Sequence, residues 1–160
     1  MTYTRKSASL KHYSKLKAES SKDNMPLISA GYPAGVYGVG VREPFTSEDT
    51  YFKDNPHVGG MAAEDNKIII NPYSKLSDKE KQAVMLNEAA RVHMRTGLYP
   101  PPNFDVTPEQ AKSFATYSKD PKDIQHTIAA RILSGDPSAG VVSPAQQEYA
   151  KSLGDFMGVK

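Results

Sequence analysis

Four segments of this chain announce where a helix must begin, and together they fix the character of its second half. Ser77-Asp78-Lys79-Glu80 has the form of a capping box, in which the serine oxygen accepts a backbone N–H and the glutamate reaches back. Thr107-Pro108-Glu109-Gln110, Asp120-Pro121-Lys122-Asp123 and Ser143-Pro144-Ala145-Gln146 each set a capping side chain before a proline at the first helical position. Proline suits that position because its missing N–H would be unpaired there anyway. These signals predict helices near 78–96, 108–118, 121–134 and 144–156, with Gly97 and Gly135 as stops. Ala83, Leu86, Ala90, His93 and Met94 share one side of the first, and Ile124, Ile128 and Ile132 recur every four positions in the third. Such faces must bury against another layer.

The chain offers one clear candidate for that layer. Gly59 to Ala63, the polar turn Glu64-Asp65-Asn66, and Lys67-Ile68-Ile69-Ile70 read as a β-hairpin, because consecutive β-branched residues suit a buried pleated surface. Asn71-Pro72 closes the strand, since proline has no N–H for the ladder. The predicted fold is therefore α+β: a short β-hairpin packed by three or four α-helices, over residues 57–157.

The N-terminal third reads differently. Residues 25–56 are rich in Gly, Pro and Tyr and are expected to be an extended segment, in which Tyr37, Val39 and Val41 alternate as a single edge strand or an apolar loop. Their glycine spacing fits neither a phosphate-binding loop nor a dinucleotide fingerprint. Residues 1–24 form a basic arm: Arg5, Lys6, Lys11, Lys15, Lys17 and Lys22 against Glu19 and Asp23 give +4, which leaves −2 for the rest of a chain of net charge +2. Leu10, Tyr13 and Leu16 recur at helical spacing among those lysines. Lys11, Tyr13, Lys15, Leu16, Tyr32 and Tyr37 are accordingly the candidate partner-binding residues, since tyrosine combines apolar area with a polar tip. The arm is also a candidate contact for nucleic acid, although no recognised binding motif accompanies it.

Absences narrow the chemistry further. The chain has no cysteine, which removes disulfides, thiolate metal sites and thiol nucleophiles. No run approaches the roughly 20 apolar residues that span a bilayer, and no apolar signal core follows Met1, so neither a membrane partner nor signal-directed secretion is expected.

Asn87-Glu88-Ala89-Ala90-Arg91 has the spacing of a zinc-peptidase helix, in which histidines at i and i+4 hold the metal and the glutamate polarises water. Here both histidine positions differ. Asn87 is a poor zinc ligand and Arg91 repels a cation, so no metal, cofactor or catalytic residue is expected. His12, His57, His93 and His126 form no pair at ligand spacing. The expected role of Asn87, Glu88, Arg91 and Arg95 is a structural polar cluster, with the Glu88 carboxylate holding both arginines.

Ile68 to Tyr73, the capped start Ser77 to Glu80, and Asn87 to Arg91 resemble the strand–loop–helix core of small zinc-metallopeptidase-like proteins, in a degenerate form. Asn71 to Ser77, Asn87 to Arg91 and Ile132 to Ala139 are also similar to a family of small tailed-bacteriophage proteins of uncharacterised activity. Together with an N-terminal third longer than so small a core needs, which suggests ordering by a neighbouring subunit, that likeness leads to the expectation of a non-catalytic structural or adaptor component of a virion, meeting other virion or host proteins in the particle or the host cytoplasm. The alternatives are a diverged hydrolase using Glu88 and a nucleic-acid-binding protein using residues 1–24.

Overall fold

The computed structural model describes residues 35–159. Strands β1 (Gly35–Val36), β2 (Val39–Arg42), β3 (Gly60–Ala62) and β4 (Ile68–Ile70) form one sheet in the order β1-β2-β4-β3. Helix α1 (Thr46–Asp54) lies between β2 and β3 in the chain. Helices α2 (Asp78–Thr96), α3 (Pro108–Phe114), α4 (Pro121–Leu133) and α5 (Pro144–Met157) follow β4, with a single 3₁₀ turn at Pro137–Ala139. The protein is thus α+β, a short sheet packed against helices. Among the described residues, no helix is long and apolar enough to cross a membrane.

The isoleucine strand sits where its sequence demands. Successive side chains of a strand point to opposite faces. Ile68 and Ile70 enter the larger core with Leu86 and Ala90 of α2, Ile128 of α4 and Leu153 of α5, while Ile69 joins Phe52, Val58, Met61 and Ala63 on the other face, beneath α1. Burying such a side chain contributes about 1.5–3 kcal/mol, and Ile68 and Ile69 are both fully enclosed. β3 and β4 pair antiparallel in the predicted hairpin, with Met61 opposite Ile69. The helix starts also match their signals. Ser77 Oγ accepts from Glu80 N–H, Thr107 from Gln110 and Ser143 from Gln146. Gly97 ends α2 in the left-handed conformation, at φ 76°.

The described part of the supposed extended segment is structured instead. Tyr37 and Gly38, at φ 51° and 80°, make a two-residue turn that pairs β1 with β2, so Tyr37 lies in a turn and not in a strand. β2 is interior and runs parallel to β4, with Val41 opposite Ile68. Helix α1 escapes apolar periodicity because Tyr51 and Phe52 are its only large apolar residues. It is fixed by polar contacts: Glu48 Oε1 accepts the Phe45 N–H at 2.7 Å, and Arg42 reaches both Glu48 oxygens at 2.9 and 3.2 Å. Asn71 secures its far end by donating to the carbonyls of Asn55 and Val58 while accepting from Tyr73 N–H. Helix α3 stops at Phe114, short of the expected residue 118, because Ser118 Oγ is already engaged in the turn that presents Asp120 as the next cap.

Candidate functional site

Helix α2 runs through the middle of the molecule, between the sheet and α4. Its polar residues Asn87, Glu88 and His93 are therefore buried together with Val84, Ala89 and Val92. A buried charge in such a place must be hydrogen-bonded. Glu88, 1% exposed, directs Oε2 to the Ala62 N–H of β3 at 2.9 Å. β3 is an edge of the sheet, and this carboxylate satisfies a backbone donor that has no neighbouring strand.

Glu88 relates to the two guanidiniums in different ways. Arg91 Nε lies 3.9 Å from Glu88 Oε1, an ion pair beyond hydrogen-bond length, and donates instead to Asn87 Oδ1 at 2.9 Å. Its Nη1 crosses to Thr127 Oγ1 of α4 at 3.1 Å, and Asn87 Nδ2 reaches Ser134 Oγ at 3.4 Å. Arg95, two helical turns from Glu88 and thus about 10 Å along the axis, grips the β3–β4 turn: Nη2 donates to Ala63 O at 2.6 Å and to Asn66 Oδ1 at 3.0 Å. Asn87 and Arg91 are thus hydrogen-bonded beside Glu88, while Arg95, still under the attraction of the Glu88 charge, bonds the turn.

A zinc ion does not fit these residues. The Asn87 oxygen is occupied by a guanidinium, and the Arg91 charge stands where a second ligand would be needed. Among the described residues, no three of His, Asp and Glu gather in a way that could hold a metal. His57 is exposed and distant in sequence from the cluster. His93 places Nε2 2.7 Å from Tyr37 O, pinning the β1–β2 turn to α2. Burial lowers the pKa of His126, and Arg91 lowers it further.

Glu88→Leu should lower folding stability by about 1–3 kcal/mol, because the Ala62 N–H loses its acceptor at a covered edge. Glu88→Gln keeps an amide oxygen for that N–H and should lose distinctly less, as read by urea denaturation. Equal losses would mean that the charge opposite Arg91, rather than the bond to Ala62, is what stabilises.

Of the candidate partner-binding residues, Lys11, Tyr13, Lys15, Leu16 and Tyr32 lie outside the described residues. Tyr37 is half-buried, with its ring on the main core and its carbonyl bound to His93. Sequence reasoning missed a cluster of aromatic rings. Phe104, Tyr149, Tyr99, Phe156 and His93 make a continuous row of ring contacts, with centroids 5.2–5.7 Å apart. The signal was the seven-residue spacing of Tyr149 and Phe156, which sets two rings on one side of α5. Comparison with protein-family models, with curated proteins and with solved structures finds no match to this chain.

Proposed function

We propose that the protein is a non-catalytic structural or adaptor component of a bacteriophage particle, acting through contacts with other virion or host proteins. The observation that carries the non-catalytic part is the state of Glu88, the one residue that keeps its place in the zinc-peptidase pattern. Its carboxylate is enclosed and accepts a backbone N–H of the protein's own sheet. A general base has to reach a water or substrate proton, and a carboxylate this enclosed, with Oε2 committed to the Ala62 N–H, is poorly placed to do so. The particle setting rests on the likeness of Asn71 to Ser77, Asn87 to Arg91 and Ile132 to Ala139 to tailed-phage proteins. The basic arm of residues 1–24 carries a net charge of +4, which suits it to an acidic protein surface or to phosphates.

The test has two parts. Elemental analysis of the purified protein should find no stoichiometric zinc, and peptidase assays should find no chelator-sensitive activity; one zinc per chain would favour the diverged hydrolase. Pull-down from particles or infected-cell extract should capture a protein partner in the presence of nuclease, and lose it when residues 1–24 are removed. Capture that disappears with nuclease would assign the arm to nucleic acid instead.

A further inference from the structure

Tyr99, Phe104 and Tyr149 wall a groove of about 440 Å³ between residues 99–105, which include Pro100, Pro101 and Pro102, and α5, with Asp105 and Glu148 at its rim. Tyr149 is the central ring. Tyr99 stands at 72° to it and Phe104 at 73°, both in edge-to-face contact, so the rings meet at an incline and not in a stack. The Tyr149 hydroxyl donates to Pro100 O at 2.6 Å, and burial together with Tyr99 pushes its pKa far up, so the ring is held in place and stays neutral. Aromatic faces carry negative charge density and attract cations, and inclined rings of this kind form the cages that take ammonium groups.

The polar lining points the same way. Asp105 and Glu148 are exposed carboxylates, and no lysine or arginine lines the groove. The ring row also continues out of it, from Tyr99 to Phe156, which is 53% exposed, and Leu98, next to Tyr99 in the chain, is exposed too. A small cation would leave that apolar shelf open, whereas a polypeptide would cover it.

We propose that this groove binds a lysine or arginine side chain from an extended segment of a partner protein, whose adjacent apolar residue rests on Phe156 and Leu98. This rests on the adaptor reading and names the chemistry of the partner. The attraction has a screened part, from Asp105 and Glu148, and an unscreened part, from ring contact and apolar burial.

The test titrates the ¹⁵N-labelled full chain with the blocked peptide Ala-Lys-Leu-Arg-Ala, and with its neutral counterpart carrying norleucine and citrulline. Shifts should be confined to residues 98–105 and 145–156 and should be absent with the neutral peptide. The double variant Asp105→Asn/Glu148→Gln, both at exposed positions, should bind about three- to tenfold more weakly. Equal shifts with the neutral peptide, or undiminished binding by the double variant, would overturn the proposal. Absent shifts alongside nuclease-resistant partner capture would overturn the groove and leave the adaptor role standing. Peptide binding without partner capture would sustain the groove and remove the adaptor role.

Discussion

Replacing Arg42 with leucine should lower folding stability by about 3–5 kcal/mol, because it strands a buried charge. Glu48 is 0% exposed, and the Arg42 guanidinium meets it with two nitrogens while lying 3.9 Å over the Phe45 ring. The same side chain donates to Glu43 O and, through Nε, to Asp65 in the β3–β4 turn at 2.9 Å. One residue therefore ties β2, α1 and the far hairpin together. Without it, Glu48 keeps the Phe45 N–H but loses its counter-charge in an enclosed site. The double variant Arg42→Leu/Glu48→Leu should recover much of the loss, since it removes the uncompensated charge as well as the pair. Denaturant midpoints of the wild type, the single variant and the double variant decide the matter. A double variant no better than Arg42→Leu would show that the bonds to Glu43 and Asp65 dominate.

Gln146→Leu should be nearly as damaging, at about 3 kcal/mol or more, because four hydrogen bonds converge on one amide that is 0% exposed. Gln146 Oε1 accepts from Ser143 N–H at 3.1 Å and from Gln110 Nε2 at 2.8 Å. Its Nε2 donates to Asp105 O at 2.9 Å and to Gln110 Oε1 at 2.8 Å. Gln110 is the third residue of α3 and also accepts from Thr107 N–H, so two capping boxes stand back to back and share a reciprocal amide pair. Leucine leaves every one of those groups short of a partner. Ser143→Ala removes the cap alone and should lose only about 1 kcal/mol. Thermal unfolding of the two variants side by side measures the difference, and a Gln146→Leu loss no larger than that of Ser143→Ala would reduce the amide pair to an ordinary cap.

These two sites show what the sequence made legible. Caps are local: Ser143 and Gln146 are three residues apart, so their bond follows from spacing alone, and the helices they start were foreseeable. The isoleucine strand was equally plain, because three β-branched residues before Asn71-Pro72 leave few alternatives. What could not be read were contacts between distant residues. Gln146 and Gln110 are 36 positions apart, and either would serve on an exposed surface. Glu88 lies among arginines in sequence, which suggested salt bridges, yet the group it bonds is a backbone N–H 26 residues earlier. Helix α1 was missed for a related reason. Thr46–Asp54 offers two large apolar residues, and its stability comes from Arg42 and Asn71, which lie outside it. In the candidate site, Asn87, Glu88 and Arg91 come together, and the bonds of Arg95 to Ala63 and Asn66 required the third dimension.

The edge strand β3 carries a wider consequence. An uncovered sheet margin is a template on which a second chain can add its own strand, the first step towards fibrils or domain-swapped aggregates. Glu88 and Arg95, two turns apart on α2, hold the Ala62 N–H and the Ala63 carbonyl, one with a negative and one with a positive group. Ala63 faces the β4 side, where its carbonyl also accepts the Asn66 N–H, so at the margin itself an incoming strand would have to displace the buried Glu88 carboxylate from the Ala62 N–H. At high protein concentration that bond would keep copies of the chain from joining through their sheets, and would leave association to other surfaces.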